Sequence, residues 1–173
     1  MNILNEIVIR DMSHFDLEGV LALECEIFPT PWTHEIFEYE MRHRERALYL
    51  VVEVRKKIVG YLGAQVLGDE VHVTNMAVAP GLRRRGIGTA MLLECLRRGM
   101  EQGARWVTLE VRENNHEARE FYSRFGFRDM GLRRGYYIDS GEDAVIMTSR
   151  DLKGSYFQEL LSGIEAELAR KAG

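Results

Sequence analysis

A chain of 173 residues, 46% of them apolar and 29% charged, has the length of one domain and buries roughly 70% of its unfolded surface on folding. Its 23 Lys and Arg against 27 Asp and Glu leave a formal charge of −4. That excludes an intrinsically disordered chain and argues against a general nucleic-acid binder, which needs a surplus of cations to displace counterions from phosphates.

Ile7 to Ile9 reads as a short buried strand, and Ser13 with Asp16 three residues on gives a helix N-cap signal. Leu17, Val20, Leu21, Cys25 and Phe28 then recur at helical spacing. Phe28-Pro29-Thr30-Pro31-Trp32 breaks that helix, because proline lacks an amide hydrogen and restricts the residue before it; Thr33 caps a second helix to about His43. Leu48 to Glu53, Ile58 to Leu67 and Val71 to Val78 are β-branched or aromatic runs separated by turns at Arg55 to Lys57 and Gly68-Asp69, and they predict an antiparallel meander. After Pro80 a glycine-containing loop leads into a helix from about Gly88 to Gln102. Trp106 to Val111 is the next strand, His116 to Phe125 a helix, and Gly126 its left-handed stop. Strand, helix, strand implies a parallel pair with a right-handed crossover. Two last strands near Phe127 to Arg133 and Ala144 to Ser149 complete an α/β fold, a mixed sheet with helices on both faces.

Phe157, Leu160, Leu161, Ile164 and Leu168 recur at helical intervals. They mark residues 153–173 as an amphipathic extension of a domain over residues 1–152, with docking on that domain favoured over a partner surface. Cys25 and Cys95 both fall in segments of helical periodicity and read as buried free thiols in a reducing, cytoplasmic setting. The longest apolar runs, such as Leu48 to Val52, are too short to cross a bilayer, and Met1 to Asp11 lacks the layout of a signal peptide, so no membrane is implied. His14, His34, His43, His72 and His116 show no metal-ligand spacing and read as ordinary polar or core histidines.

Arg83-Arg84-Arg85-Gly86-Ile87-Gly88-Thr89 lies between a strand and a long helix. Unpaired backbone N–H groups and the helix dipole favour an anion there. The glycines let phosphate oxygens reach the main chain, and the arginines add attraction. No Lys-Ser or Lys-Thr pair follows Gly88, so a nucleoside-triphosphate loop is unsupported. A pyrophosphate cradle and a solvated basic turn both remain open on the loop by itself.

Arg83, Gly86 and Gly88 after a strand resemble the hallmark of the GNAT superfamily of acetyl-CoA-dependent N-acetyltransferases, Arg or Gln, two residues, Gly, one residue, Gly or Ala. Pro31-Trp32-Thr33, Leu109-Glu110-Val111-Arg112, Asn115, Ala118, Phe121-Tyr122, Gly126-Phe127, Arg133 to Tyr137 and Glu142-Asp143-Ala144 extend the resemblance over about Ile7 to Met147. Together they are similar to the bacterial ribosomal-protein-alanine N-acetyltransferases, the RimI type. Asn114 replaces the serine usual before Asn115, and Gly135 stands where that subfamily often has Asn.

The resemblance implies the GNAT fold, whose parallel strand pair is splayed to admit acetyl-CoA as cosubstrate, with no metal. Main-chain groups of Met76, Ala77 and Val78 would hold the pantetheine arm, Arg83 to Thr89 the pyrophosphate, and Asn115 another part of the coenzyme, unless it is a plain helix N-cap. Acetyl transfer to an amine needs a neutral nucleophile, a stabilised oxyanion and a proton for the departing thiolate. Glu110, a carboxylate on an apolar strand, is costly there unless it faces a wet cleft or a partner. By resemblance it is the general base, the alternative being a residue turned to solvent. Tyr122 is the general acid by the same resemblance, or else an ordinary core tyrosine.

A terminal amine of pKa about 7.8 is roughly 14% neutral at pH 7, whereas a lysine near 10.4 is about 0.04% neutral, a gap of roughly 3.5 kcal/mol. A single carboxylate base therefore suits a protein N-terminus better. Phe28, Trp32, Tyr136 and Tyr137 occupy the two places where such enzymes build an acceptor groove, although aromatics are commonly packing residues. Arg133 and Arg134 with Glu142 and Asp143 read as a solvated turn or a structural ion pair. The resulting expectation is an acetyltransferase acting on a protein N-terminus, the alanine of a small-subunit ribosomal protein, by direct transfer in a ternary complex. Its rivals are a small-amine acetyltransferase and a catalytically idle acetyl-CoA-binding module that uses the C-terminal helix to meet a partner.

Overall fold

The N-terminal half begins with β1 (Ile7–Asp11), α1 (Leu17–Ile27) and α2 (His34–Arg42), in a computed structural model that describes residues 2–43 and 45–173. The meander follows as β2 (Ala47–Val54), β3 (Lys57–Leu67) and β4 (Glu70–Val78). Then come α3 (Ile87–Glu101), β5 (Trp106–Arg112), α4 (His116–Arg124), β6 (Arg128–Tyr137), β7 (Glu142–Thr148) and α5 (Ser155–Ala172). The seven strands form one sheet in the order β1-β2-β3-β4-β5-β7-β6, antiparallel throughout except for the parallel pair β4–β5.

Strand alternation divides the core in two. Leu48, Leu50 and Val52 point to the face covered by α3 and α5, in a cluster with Met91, Leu96 and Phe157. Tyr49 and Val51 point to the other, where Leu17, Val20 and Leu23 of α1 and Phe37 and Met41 of α2 cover them. Ser13, the expected N-cap, caps a 3-10 turn over His14–Asp16 that leads into α1, the Asp16 carboxylate accepting from the Ser13 amide at 2.7 Å and from the Ser13 hydroxyl at 2.8 Å. Gly126 ends α4 at φ +76°, the left-handed stop expected of it. Of the two cysteines only Cys95 is buried; Cys25 is exposed, because the inward face of α1 is set by Val20, Leu23 and Glu24 and its final turn swings Cys25 outward.

β4 and β5 are paired only from Glu70 with Trp106 to Val73 with Leu109. Past that point β4 continues against β3, from Asn75 with Gly63 to Val78 with Gly60, while β5 continues against β7, from Glu110 with Ile146 to Arg112 with Ala144. The divergence has a local cause. The β3–β4 register passes from Ala64–Val73 to Gly63–Asn75, leaving Thr74 as an extra residue whose hydroxyl donates to the Gly63 carbonyl at 3.1 Å. Such a bulge bends and twists its strand, and it falls at the last paired position, so the remainder of β4 leaves β5 and the sheet forks.

Candidate active site

A cavity of about 470 Å³ lies along the freed side of β4. Met76, Ala77 and Val78 form one wall, and Tyr122, Phe121 and Ala118 of α4 form the opposite one. Of the basic loop, Arg83, Arg84, Gly86, Gly88 and Thr89 line it, and Asn115 and Phe28 complete it. Arg85 and Ile87, expected with them, do not reach it: Arg85 is exposed, and Ile87 is a core residue with 1% exposure that anchors the start of α3. Gly86 adopts φ +92° as the N-cap of α3, a conformation open to glycine, and Arg84 beside it takes φ +62°. At Gly88 a Cβ would stand 3.4 Å from the Met76 methyl and narrow the cavity where α3 begins. The Arg83 Nε–H donates to the Val78 carbonyl at 3.2 Å, tying the loop to the end of the freed strand. Small residues beside a helix N-terminus of fifteen-residue α3, with cations around them, make a cradle suited to a phosphate.

Glu110 is the first β5 residue beyond the last β4 pair. Its side chain is 8% exposed, so the carboxylate needs partners, and it has two. His72 of β4 approaches with Nε2 2.6 Å from Oε2, and Arg133 of β6 with a guanidinium nitrogen 3.2 Å from Oε1. Arg133 thus serves Glu110 rather than Glu142 or Asp143. Those acids have other tasks: Asp143 accepts from the Gly135 amide at 2.7 Å, and Glu142 accepts from the Asn114 amide at 2.8 Å.

Tyr122 is buried, its hydroxyl 3.7 Å from the Met76 sulfur, at the meeting of the α4 wall and the β4 wall. Burial pushes its phenol well above the ordinary tyrosine range, so it stays protonated at neutral pH. Asn115 accepts from the Ala118 amide at 3.1 Å, the N-cap role, and lines the cavity as well. Tyr137 sits under the Arg112 guanidinium at 3.9 Å; burial raises its phenol to about 12, against the opposing pull of Arg112, and the Glu110 carboxylate is close enough to add to the rise. Arg112 also reaches Asp139 at 2.7 Å and the Ser140 hydroxyl at 3.0 Å, so one side chain clips the β6–β7 turn to the end of β5.

The remaining aromatic candidates stand outside the cavity. Tyr136 is 45% exposed and packs edge-on against Tyr137 at 5.2 Å. Trp32 packs on Phe37 at 5.4 Å, and its amide donates to buried Glu24 at 2.8 Å. The Tyr61 hydroxyl donates to the other Glu24 oxygen, and burial raises this carboxyl above the ordinary range, with the Trp32 amide working against the rise. Glu24 therefore fixes the Pro-Trp elbow to the sheet. Sequence reasoning missed Glu24, His72 and Arg133. His72 had a signal: it pairs with Thr108 in the parallel register, so Glu110 is its diagonal neighbour on the same face. That register is not written in either strand alone.

An anion cradle feeding a forked sheet, with a partnered carboxylate at the fork and a protonated phenol across from the freed strand, defines an α/β enzyme of the group-transfer class. The chain belongs to the Acetyltransferase (GNAT) family, whose model matches residues 17–127, and it is an N-acetyltransferase. A Bacillus subtilis (strain 168) protein, provisionally named a [ribosomal protein bS18]-alanine N-acetyltransferase, is 36% identical over 139 residues, 80% of this chain and 92% of that one. The crystal structure of the ribosomal-protein-S18-alanine N-acetyltransferase from Escherichia coli superposes with a TM-score of 0.77 at 30% identity, covering 86% of this chain and 97% of that one. Ard1 from Thermoplasma volcanium gives a TM-score of 0.79 at 29% identity, with 86% and 99% covered. Among the described residues no group of three or more His, Cys, Asp or Glu is placed to hold a metal ion, and no helix is long and apolar enough to cross a membrane.

Proposed function

We propose that this N-acetyltransferase moves the acetyl group of acetyl-CoA to a protein N-terminus, that of an alanine on a small-subunit ribosomal protein, in the cytoplasm. The fork carries the proposal: it leaves the Met76 to Val78 backbone facing a cavity instead of a neighbouring strand, while Glu110 stands where the two strands part, outside the lining of that cavity. The coenzyme residues are Met76, Ala77 and Val78 for the pantetheine arm, and Arg83, Arg84, Gly86, Gly88, Thr89 and Asn115 for the phosphates and their surroundings. Arg85 and Ile87 would support the loop without touching ligand.

Glu110 takes the proton of the incoming ammonium, directly or through water, while His72 and Arg133 hold its two oxygens in place. The amine nitrogen then bonds to the thioester carbonyl carbon as the carbon–sulfur bond breaks. A backbone amide of Met76 to Val78 polarises the carbonyl oxygen, Tyr122 gives its proton to the departing sulfur, and the proton that the nitrogen loses on becoming an amide leaves to water, which reprotonates the Tyr122 phenolate. Phe28, Trp32, Tyr136 and Tyr137 border the acceptor side, with Tyr137 nearest the base. The names of the relatives support the protein acceptor. The smaller cost of neutralising a terminal amine supports that acceptor over lysine.

The test is mass spectrometry of protein N-termini in cells with and without this chain, joined to thiol-release assays on alanine-starting peptides and on free small amines. Loss of acetylation at one ribosomal alanine, with peptides preferred over amines, is expected. An unchanged set of N-termini with turnover of free amines would replace the proposal by the small-amine one.

A further inference from the structure

The family match ends at residue 127, yet α5, well beyond it, supplies part of the cavity wall: Lys171, in its last turn, lines the same space as Arg83 and Arg84. The helix is held there from three directions. Phe157, Leu161 and Ile164 are buried in the core beneath α3. Leu168 closes over the phosphate-loop glycine, its methyl 2.9 Å from where a Gly86 Cβ would be. The Asn5 amide donates to the Ala172 carbonyl at 2.9 Å, and the Asn2 amide donates to that of Lys171.

A helix C-terminus carries partial negative charge and would repel an anion in front of it. Here the last carbonyls are engaged by Asn2 and Asn5, and Arg170 and Lys171 occupy the last turn. Lys171 Nζ lies 2.8 Å from Glu167, and the Arg124 guanidinium, also on the cavity wall, is 3.4 Å from the same carboxylate. Glu117 and Glu120 share that wall. Both ion pairs to Glu167 are about half exposed, so exchanging the carboxylate for a phosphate costs little in either partner.

We propose that α5 completes the coenzyme site, with Lys171 and Arg124 exchanging Glu167 for a phosphate at the nucleotide end of the coenzyme as it passes Gly86. This rests on acetyl-CoA occupying the cavity, and the experiment separates the two claims. Calorimetric titration of coenzyme A into the full chain is compared with titration into Lys171→Glu and Glu167→Gln. Both variants lose the same Lys171–Glu167 pair, so a purely structural role for that pair moves them in the same direction. A phosphate role moves them oppositely: Lys171→Glu binds about tenfold more weakly, Glu167→Gln about threefold more tightly, and both differences shrink in concentrated salt. Lys171→Glu matching the unaltered chain, or Glu167→Gln binding more weakly, overturns the role of α5 alone. Absence of coenzyme binding by the unaltered chain overturns the cavity assignment together with it.

Discussion

The two groups proposed to handle protons, Glu110 and Tyr122, are buried in different ways, and each has its own test. Tyr122 has an apolar setting and, among the described residues, no carboxylate partner, so its phenol holds its proton at neutral pH, as the proposed donor to the thiolate must. Tyr122→Phe should lower kcat by about a hundredfold with KM for acetyl-CoA little changed, measured as initial rates of thiol release; an equal rate would leave Tyr122 as packing. His72 acts on Glu110 through a 2.6 Å contact. His72→Ala should cost about tenfold in kcat because the carboxylate is left less firmly oriented, and His72→Gln, which retains a donor, should recover part of that loss. An ion pair was among the readings of Arg133, but neither its partner nor that of His72 was legible in the sequence, because each reaches Glu110 from a different strand and only the sheet register brings the three together.

At the level of elements, the succession of strands and helices was legible, since β-branched and aromatic runs between turns mark the meander and helical spacing marks α1, α3 and α5. The fork was legible only through resemblance. Thr74 lies inside the Val71 to Val78 run, beside the polar Asn75, with no glycine or proline to announce an extra residue. The turn at Arg55-Lys56 was legible from its charges, but not its backbone, where both residues take positive φ without a glycine. Two elements carry stability predictions. Asp16, at the start of α1, is held at about 2 by the Arg10 guanidinium hydrogen-bonded to it at 2.7 Å, against burial, which works to raise it. Because the folded value lies below the unfolded one, the pair's stabilisation is complete above pH 4 and fades as pH falls from about 4 to about 2. Asp16→Asn should therefore cost about 1–2 kcal/mol in urea melts at pH 7 and almost nothing at pH 2. In the α1–α2 elbow, Glu24→Ala leaves the Trp32 amide and the Tyr61 hydroxyl without their buried acceptor and should cost about 2–3 kcal/mol, read from the same melts.

Over the whole molecule, the bulge in β4 opens the sheet, α3 and α4 close the opening from two sides, and α5 seals the cavity beside Arg83 and Arg84 while covering the core beneath it. The periodicity of residues 155–172 announced an amphipathic helix but not its landing place, which depends on Leu168 meeting Gly86 and Leu160 meeting Gly126, both contacts made far across the chain. Ending the chain before Ser155 would expose the surface under Phe157, Leu161 and Ile164, at a cost on the order of 5 kcal/mol, visible as a lower denaturation midpoint. The fork itself matters through one carboxylate. Glu110→Gln keeps the size of the side chain while removing its capacity to take a proton, together with the charge that faces Arg133, so paired measurements on this variant bear on everything else. Turnover of acetyl-CoA with an alanine-starting peptide should fall by about a thousandfold while calorimetric affinity for coenzyme A stays the same. Turnover equal to that of the unaltered enzyme would contradict a base at the fork, and coenzyme affinity lost in step with turnover would make Glu110 a structural part of the cavity instead.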